Sequence, residues 1–266
     1  MKPPKILVFD SGLGGLTVFV EIAKLRPRAD FVYCADDAGF PYGSWSEAEL
    51  VARVVQVMER LVGIHAPDMI VIACNTASTL VLPHLRARWP GLPFVGTVPA
   101  IKPAAARSRS AMISVLATPG TVARDYTHGL IASFAEHCEV TLVGSKNLAR
   151  LAESFMHGAV IAEEEIAREI APCFKESEGA RTDAVVLACT HYPLLVESFS
   201  RLAPWPVEWI DPAPAIARRA DQVLSEKFGP DALRQDAPER RAAFTSNRAQ
   251  EPALAATLAR FGLAGE

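Results

Sequence analysis

Two segments of this chain repeat each other closely, and the repeat determines most of the predicted fold. Residues 68–76 (DMIVIACNT) align without a gap on residues 183–191 (DAVVLACTH), so that Cys74 matches Cys189. Each copy is a short apolar run, followed by polar residues and then by a stretch with helical spacing. Strands that alternate with helices form parallel sheets, so the repeat predicts a duplicated α/β domain.

The same alternation extends over most of the chain. We predict strands at residues 5–9, 30–34, 69–73 and 93–96 in the first half, and at residues 112–117, 139–143, 184–188 and 207–210 in the second. We predict helices at residues 15–25, 46–63, 77–88, 121–134, 159–174 and 194–202. From residue 221 onward the tail reads as charged and helical, broken at Gly229-Pro230 and by a short run at residues 244–247. Each half thus has four strands of similar order.

The predicted fold class is α/β, with two similar parallel-sheet α/β domains related by internal duplication. Residues 97–103, which contain two prolines, mark the crossover between the halves, and residues 211–214 are their counterpart. We expect the first domain to comprise residues 1–97 and 209–266, and the second to comprise residues 98–208. Because ligands bind beyond the carboxyl ends of parallel strands, we expect the active site in the cleft between the domains.

Composition argues against several classes of protein. Half of the 266 residues are apolar, 21% are charged and the net charge is −3, without a basic patch, which argues against a nucleic-acid partner. No apolar run reaches the roughly 20 residues that cross a bilayer, so no membrane partner is expected. The N-terminus lacks a signal-peptide pattern, and five cysteines without paired spacing are typical of the reducing cytoplasm.

The two repeated cysteines are the strongest candidates for chemistry. A single cysteine at a strand end is more often a small buried apolar residue than a reactive group, but two at equivalent positions favour function. The helix that follows should lower the pKa of each thiol below about 8.5, and His191 lies two residues past Cys189 as a proton acceptor. Cys34, Cys138 and Cys173 have no repeated context and are expected to be structural.

Two thiols that face each other across one carbon suit inversion at an acidic C–H, which needs an acid/base group on each face. Other uses of the cysteines are possible. A Cys-x-His segment can bind zinc, but only one exists and no histidine adjoins Cys74, so a metal is not expected. A redox dithiol would need the two Cα atoms less than about 7 Å apart.

The glycine-rich run at residues 10–15 (DSGLGG) follows a predicted strand and opens a helix. Thr17 stands where a dinucleotide motif has its third glycine, and there is no Gly-Lys-Ser/Thr, but such a turn binds any anion, including a carboxylate. Asp10 has no acidic counterpart, because the repeat places Ala117 there. It suits orienting a substrate ammonium group or activating a thiol, and the alternative is that it caps the helix.

Further polar residues follow other strand ends. Residues 36–44 form a loop in which Tyr42 could offer a hydroxyl and Gly43 a backbone N–H to a ligand, unless the loop is an ordinary surface turn. Donors that should converge on the cleft are Asn75, Thr76, Thr118, Thr190 and His191. Each could instead cap a helix, but together they predict a small polar pocket for an anionic ligand.

Four motifs together resemble glutamate racemases, which belong to the cofactor-independent aspartate/glutamate racemase family. The motifs are residues 9–18 (FDSGLGGLTV), 41–43 (PYG), 73–78 (ACNTAS) and 188–195 (ACTHYPLL), and the likeness runs from about residue 6 to residue 211. It implies a two-domain isomerase that interconverts L- and D-glutamate by a two-base mechanism with two cysteines and no cofactor. Its D-glutamate would supply peptidoglycan biosynthesis.

The resemblance also implies roles for individual residues. Cys74 resembles the thiol that takes the Cα proton from D-glutamate, assisted by Asp10. Cys189 resembles the thiol that takes the proton from L-glutamate, assisted by His191, and Glu153 is similar to a third acid near the cleft. The positions that correspond to substrate contacts are Asp10, Ser11, Pro41, Tyr42, Gly43, Asn75, Thr76, Thr118, Thr190 and His191.

Several points stay open at the level of sequence. The loop has Gly39 where many members have arginine, and Ser44-Trp45 where a charged pair is more usual. The substrate could be aspartate or another acid of the superfamily, and a binding protein that has lost turnover is a further alternative. We expect a small-molecule partner, L- or D-glutamate, and a homodimer formed through residues 46–63 or through the tail.

Overall fold

Strands and helices alternate along the chain, as the repeat predicts. The computed structural model of the protein describes residues 3–229, 236–246 and 251–265. Its strands are β1 (Lys5–Asp10), β2 (Asp30–Ala35), β3 (Met69–Ile72), β4 (Phe94–Gly96), β5 (Met112–Ala117), β6 (Glu139–Gly144), β7 (Glu176–Ser177), β8 (Ala180–Arg181), β9 (Ala184–Ala188), β10 (Glu208–Ile210), β11 (Arg240–Phe244) and β12 (Ala264–Gly265). Its helices are α1 (Leu16–Leu25), α2 (Glu47–His65), α3 (Asn75–Arg88), α4 (Ile101–Arg107), α5 (Pro119–Val122), α6 (Asp125–Phe134), α7 (Leu148–Met156), α8 (Glu163–Ile170), α9 (Val196–Leu202), α10 (Ala213–Phe228) and α11 (Pro252–Arg260). Within these described ranges, no helix is both long and apolar enough to cross a bilayer.

The strands form two parallel sheets with the same internal order. The first sheet runs β12-β11-β2-β1-β3-β4 and the second runs β10-β9-β5-β6, while β7 and β8 form a separate antiparallel pair. Matching β1, β2, β3 and β4 with β5, β6, β9 and β10 turns one order into the other, and each of these pairings is parallel. The predicted fold of two similar parallel-sheet α/β domains is therefore confirmed.

Both faces of the first sheet are buried, because successive side chains of a strand point to opposite sides. On one face, Ile6 and Val8 of β1 share a core with residues of α1 and α10. On the other, Leu7 and Phe9 share a core with residues of α2 and α3. A strand covered on both sides needs a continuous apolar run, which explains why residues 6–9 show no polar alternation.

The second sheet is covered in the same way. Leu116 and Leu187 pack with residues of α7, α8 and α9, whereas Val115 and Val186 pack on the opposite face with residues of α4 and α6. Each sheet thus has its own pair of cores. The carboxyl edges of the strands stay outside these cores and are free to form a site.

The chain returns to the first domain later than the predicted boundary at residues 208/209. β10 pairs with β9 from Glu208 through Ile210, so the predicted boundary cuts a strand, and we place the end of the second domain at Ile210. α10 then packs on α1. There the buried Arg26 donates to Asp221 Oδ1 at 2.5 Å and to the carbonyl of Gly229 at 2.9 Å.

Three helical segments differ from their predictions. The predicted helix at residues 121–134 is divided into α5 and α6, because Arg124 between them has an extended backbone (φ −75°, ψ 135°). The predicted helix at residues 159–174 shrinks to α8, and α7 precedes it without having been predicted; Gly158, with a φ of +89°, ends the turn after α7. The predicted crossover at residues 97–103 runs into α4, which begins at Ile101.

The tail contributes a strand where a helix was expected. β11 pairs in parallel with β2 and extends the first sheet, and its Ala242 is fully buried. An exposed sheet edge offers unpaired backbone groups that a later segment can satisfy, a signal that local sequence does not carry. The predicted break at Gly229 is confirmed, since α10 ends there with a φ of +74°. Pro230 and Asn247, at the other predicted breaks, lie outside the described residues.

Candidate active site

The carboxyl ends of the two sheets meet, and the predicted site residues lie along the junction. Asp10 ends β1, and Cys189 follows directly after β9. Hydrogen bonds cross between the halves: Thr190 Oγ1 donates to Asp10 Oδ2 at 2.9 Å, and Thr76 Oγ1 lies 3.0 Å from Thr118 Oγ1. The duplication therefore brings two equivalent strand ends to one cleft.

Cys74 lies between β3 and α3, at the N-cap position of the helix, and is almost fully buried. Its Sγ is 3.9 Å from Ser11 Oγ. Burial raises the pKa of this thiol well above its usual value and the negative charge of Asp10 raises it further, which outweighs hydrogen bonds from Ala77 and Ser11. The expected lowering by the helix terminus is therefore wrong for Cys74, whose thiol stays protonated at neutral pH.

Cys189 is backed by a histidine and a carboxylate, which we call the Glu153–His191–Cys189 relay. Its Sγ lies 3.9 Å from Nδ1 of His191, and Nε2 of the same ring lies 2.8 Å from Glu153 Oε2. Burial opposes protonation of the ring, but hydrogen bonds with Cys189 and Glu153 raise the pKa of His191 well above its usual value. An imidazolium therefore stands beside Sγ, where it can balance a negative charge.

Glu153 connects this relay to the glycine-rich turn. Its Oε2 also accepts a hydrogen bond from the backbone N–H of Leu13 at 2.9 Å, and its Oε1 lies 3.8 Å from Nε2 of His157. Although burial alone would raise the pKa of the carboxyl, hydrogen bonds from His157 and His191 hold it at about 2. Glu153 is therefore an anion throughout the neutral range, and it orients His191 from the side opposite the thiol.

Asp10 is fully buried and does not cap α1. Its Oδ1 accepts from the backbone N–H of Gly12 at 2.9 Å, and its Oδ2 accepts from Thr190. The N-cap of α1 is Gly15, without a side-chain cap, so the alternative reading of Asp10 as a helix cap is wrong. Burial raises the pKa of the Asp10 carboxyl, and the charge of His191 lowers it in part.

Hydroxyl groups from both halves form a cluster beside the thiols. Thr76 Oγ1 lies 3.0 Å from Thr118 Oγ1 and 3.2 Å from Thr121 Oγ1, and the last two are 3.1 Å apart. Beside this cluster, both polar atoms of the Asn75 side chain are buried and have no hydrogen-bond partner among the described residues. A buried amide of this kind is costly unless a ligand or water completes it.

The loop that contains Pro41, Tyr42 and Gly43 is held in place by hydrogen bonds to Asp36. The Tyr42 hydroxyl donates to the carboxylate of Asp36, so it is already used and is not the free donor that the sequence suggested. Arg53 pairs with the same buried carboxylate through Nη2 at 2.5 Å and Nε at 3.0 Å. The loop packs against the second half, since a Cβ on Gly43 would lie 3.0 Å from Cβ of Thr118.

Two contributors to the site were missed in the sequence. Thr121 follows Thr118 by three residues at the start of a helix, a spacing that places both hydroxyls together and could have revealed it. Asp36 directly follows the second strand, but its role depends on Arg53 and Thr245, which come from distant segments. Only the structure connects them.

The glycine-rich turn leaves no room for a side chain at Gly14, which can be tested. A Cβ at Gly14 would lie 2.4 Å from Nδ1 and 2.6 Å from the backbone nitrogen of His191, and the backbone cannot move aside cheaply. Gly14→Ala should therefore lower the free energy of unfolding by about 1–3 kcal/mol, measured by urea denaturation. Gly63→Ala is the control, because it meets no atom within 4 Å in α2 and should raise stability by up to about 1 kcal/mol. Equal effects of both changes would contradict the close approach.

Among the described residues, no group of three or more His, Cys, Asp or Glu side chains has an arrangement that could hold a metal ion. The site brings together two thiols, two carboxylates, one imidazolium and a set of neutral donors.

Several known proteins have sequences similar to this one. A sequence model of the Asp/Glu/Hydantoin racemase family matches residues 18–220. The glutamate racemase of Rhizobium meliloti (strain 1021) is 57% identical over 248 residues, which cover 93% of this chain and 88% of that protein. The glutamate racemase of Agrobacterium fabrum (strain C58) is 60% identical over 224 residues, which cover 84% of this chain and 81% of that protein.

A solved structure shares the fold as well. Escherichia coli glutamate racemase, crystallised with L-glutamate and the activator UDP-MurNAc-ala, aligns with a TM-score of 0.86 and 40% identity, covering 99% of this chain and 98% of that one. Sequence and fold agree over nearly the whole length. The chain therefore belongs to the Asp/Glu/Hydantoin racemase family and is one of its isomerases.

Proposed function

We propose that the protein is a glutamate racemase in which Cys74 and Cys189 act as the two acid/base groups. The observation that carries the proposal is the meeting of two equivalent strand ends, each with a free thiol, at one cleft. The names of the similar proteins support glutamate as the substrate.

The chemistry requires both thiols. The Cα–H of an amino acid is very weakly acidic, so its removal needs a well-placed base and a stabilised carbanion. One sulfur, as thiolate, takes the Cα proton while the other, as thiol, delivers its proton to the opposite face. The two sulfurs therefore hold one proton between them before and after each turnover, and no electron leaves the substrate.

The surroundings of the two sulfurs support a division of labour. The buried Cys74 thiol keeps its proton at neutral pH, because burial and the charge of Asp10 raise its pKa. Cys189 has the imidazolium of His191 at 3.9 Å to balance a negative charge. This resting arrangement suits L-glutamate, with Cys189 removing the proton and Cys74 supplying one, and D-glutamate requires the reverse distribution.

The neutral donors and Asp10 suit the two charged groups that are bonded to Cα of the substrate. The Asn75 amide and the cluster of Thr76, Thr118 and Thr121 hydroxyls are placed to hold the α-carboxylate and the charge that develops on it. Asp10 is the carboxylate best placed for the ammonium group. Ser11, Pro41 and the backbone of Gly43 complete the predicted contacts with the substrate.

A labelling experiment tests this mechanism. L-Glutamate is incubated with the purified protein in deuterated water without added cofactor. The enantiomers are then separated by chiral chromatography, and the mass of the product is measured by mass spectrometry. We expect D-glutamate with deuterium at Cα in nearly every molecule, because the donor thiol exchanges its proton with solvent. No product, or product without label, would refute the mechanism. A larger kcat/KM for L-aspartate than for L-glutamate would instead move the assignment to another substrate.

The cellular setting follows from the proposed chemistry. Two reduced thiols are needed, and all five cysteines are free, which suits the reducing cytoplasm. We propose that the D-glutamate formed supplies peptidoglycan biosynthesis, as the resemblance to glutamate racemases suggests. The homodimer stays a prediction, which light scattering of the purified protein would test.

A further inference from the structure

A cavity of about 240 Å³ opens beside the proposed substrate pocket. One wall includes Gly43, Ser44 and Thr118, of which Gly43 and Thr118 belong to the predicted substrate contacts. The other wall includes Lys146, which precedes α7, and Arg150, which lies in the first turn of α7. We call this cavity the vestibule. Because it shares Gly43 and Thr118 with the inner pocket, a ligand that reaches one is adjacent to the other.

The two basic side chains of the vestibule are exposed and unpaired. Among the described residues, neither Lys146 nor Arg150 has a carboxylate within ion-pair distance. The nearby acid Glu169 is occupied by neutral donors instead, with Ser145 Oγ at 2.5 Å and Asn147 Nδ2 at 2.8 Å. Both cations are therefore available to an anion from solution.

The position of Lys146 and Arg150 does not favour folding. Lys146 and Arg150 stand at the N-terminal end of α7, where the helix dipole favours negative charge, and the first turn contains no acidic residue to offset them. Two uncompensated cations at this point contribute nothing to the helix. A function in binding explains why they line a cavity that adjoins the proposed substrate pocket.

Negative charge in the proposed substrate pocket gives such cations a use. This pocket contains the carboxylates of Asp10 and Glu153, both buried, whose negative charge disfavours the approach of an anionic substrate. Glutamate has two carboxylates and one ammonium group, so its net charge is −1 at neutral pH. Positive charge at the mouth of a cleft raises the local concentration of an anion and its rate of association.

We infer that Lys146 and Arg150 form a cationic docking site in the vestibule, which captures a carboxylate of the incoming dicarboxylic amino acid before the substrate reaches the thiols. The inference rests on the proposed function and adds a step to it. It also provides a source of selectivity, because an amino acid with an apolar side chain offers these cations no second carboxylate.

The test is the double substitution Lys146→Ala/Arg150→Ala. Because both contacts are exposed to solvent, kcat/KM should fall only about three- to tenfold at low salt, almost entirely through KM. The fall must be equal for both enantiomers, since the equilibrium constant of a racemisation is one. The difference from wild type should shrink between about 0.01 M and 1 M salt, as the Debye length falls from roughly 30 Å to 3 Å.

A matched control removes the same charge at the other end of the second sheet. Arg109→Ala/Lys175→Ala changes two exposed cations near the amino ends of β5 and β9, and it should leave KM unchanged. The exchange Lys146→Arg/Arg150→Lys keeps the charge and should retain most of the wild-type KM. If Lys146 and Arg150 only support the fold of α7, the loss in Lys146→Ala/Arg150→Ala should not depend on the salt concentration.

Three outcomes would overturn the inference: an equal loss in the control, a loss in kcat with KM unchanged, or a loss that does not respond to salt. Calorimetric binding of L-glutamate to wild type and to the double variant gives the same comparison without turnover. Absence of racemisation by wild type therefore counts against the proposed function alone, whereas equal dissociation constants count against the docking site.

Discussion

Replacing either Cys74 or Cys189 with alanine is expected to slow glutamate racemisation about 10³-fold or more. A positioned acid or base contributes about 10²–10⁴ to a rate, and each variant lacks the acid/base thiol of one face. The measurement is kcat by chiral chromatography in both directions. Cys138→Ala is the control, because Cys138 is free but lies at the amino end of β6, and its kcat should equal that of wild type.

The two variants should differ in what they still catalyse. Cys74→Ala retains the Cys189 thiol with its relay, so it can remove a proton from L-glutamate but can only return a proton to the same face. We therefore expect slow deuterium exchange at Cα of L-glutamate without inversion. Cys189→Ala should give the mirror result, slow exchange of D-glutamate alone. The readout is mass spectrometry of each recovered enantiomer after incubation in deuterated water.

This pair of results discriminates among the alternatives. A redox dithiol would show neither racemisation nor exchange at Cα, in wild type or in either variant. A binding protein without turnover would show no exchange even in wild type. If Cys74→Ala exchanged only D-glutamate and Cys189→Ala exchanged only L-glutamate, each thiol would serve the face opposite to the one proposed, and the roles of the Asp10 and His191 sides would have to be reversed.

The repeat predicted the parts of the site that depend on local sequence. The strand before Cys74 or Cys189 can be predicted from a run of apolar residues and the polar group that follows it. Because the two runs are equivalent in the repeat, they also predict the same strand order in both sheets. That prediction is confirmed by the parallel orders of the two sheets. The donors Thr76 and Thr118 were found by the same rule, because each follows a strand.

What the sequence could not provide depends on distant packing. The direction of the Cys74 pKa was predicted wrongly, because the effect of a helix terminus is local whereas burial and the charge of Asp10 come from the assembled fold. β11 was missed because it pairs with β2, which lies some two hundred residues earlier in the chain. Glu153 was found only through a family resemblance, since its helix α7 had not been predicted.

Replacing Glu153 with glutamine should lower kcat/KM about ten- to a hundredfold near pH 8, the second largest effect expected. Glutamine keeps the size of the side chain but removes the negative charge, and a hydrogen bond to a charged group is worth about 1.5–3 kcal/mol. The measurement is kcat/KM across the pH range for both enantiomers, which must fall equally because the equilibrium constant is one. Thermal unfolding of the variant checks that the fold is retained.

The pH dependence gives the sharper test of this relay. Burial opposes protonation of His191, but its hydrogen bonds with Cys189 and Glu153 raise its pKa, so the imidazolium persists at neutral pH and is lost only as the pH rises through that raised value. Without the anionic partner the ring gives up its proton at lower pH, so the alkaline limb of the profile should move to lower pH in Glu153→Gln. His157→Gln is the control, because it removes the other partner of Glu153, 3.8 Å away and more exposed, without touching the ring beside the thiol. An alkaline limb that stays in place while activity falls equally at every pH would mean that Glu153 holds the glycine-rich turn through Leu13 rather than the charge of His191.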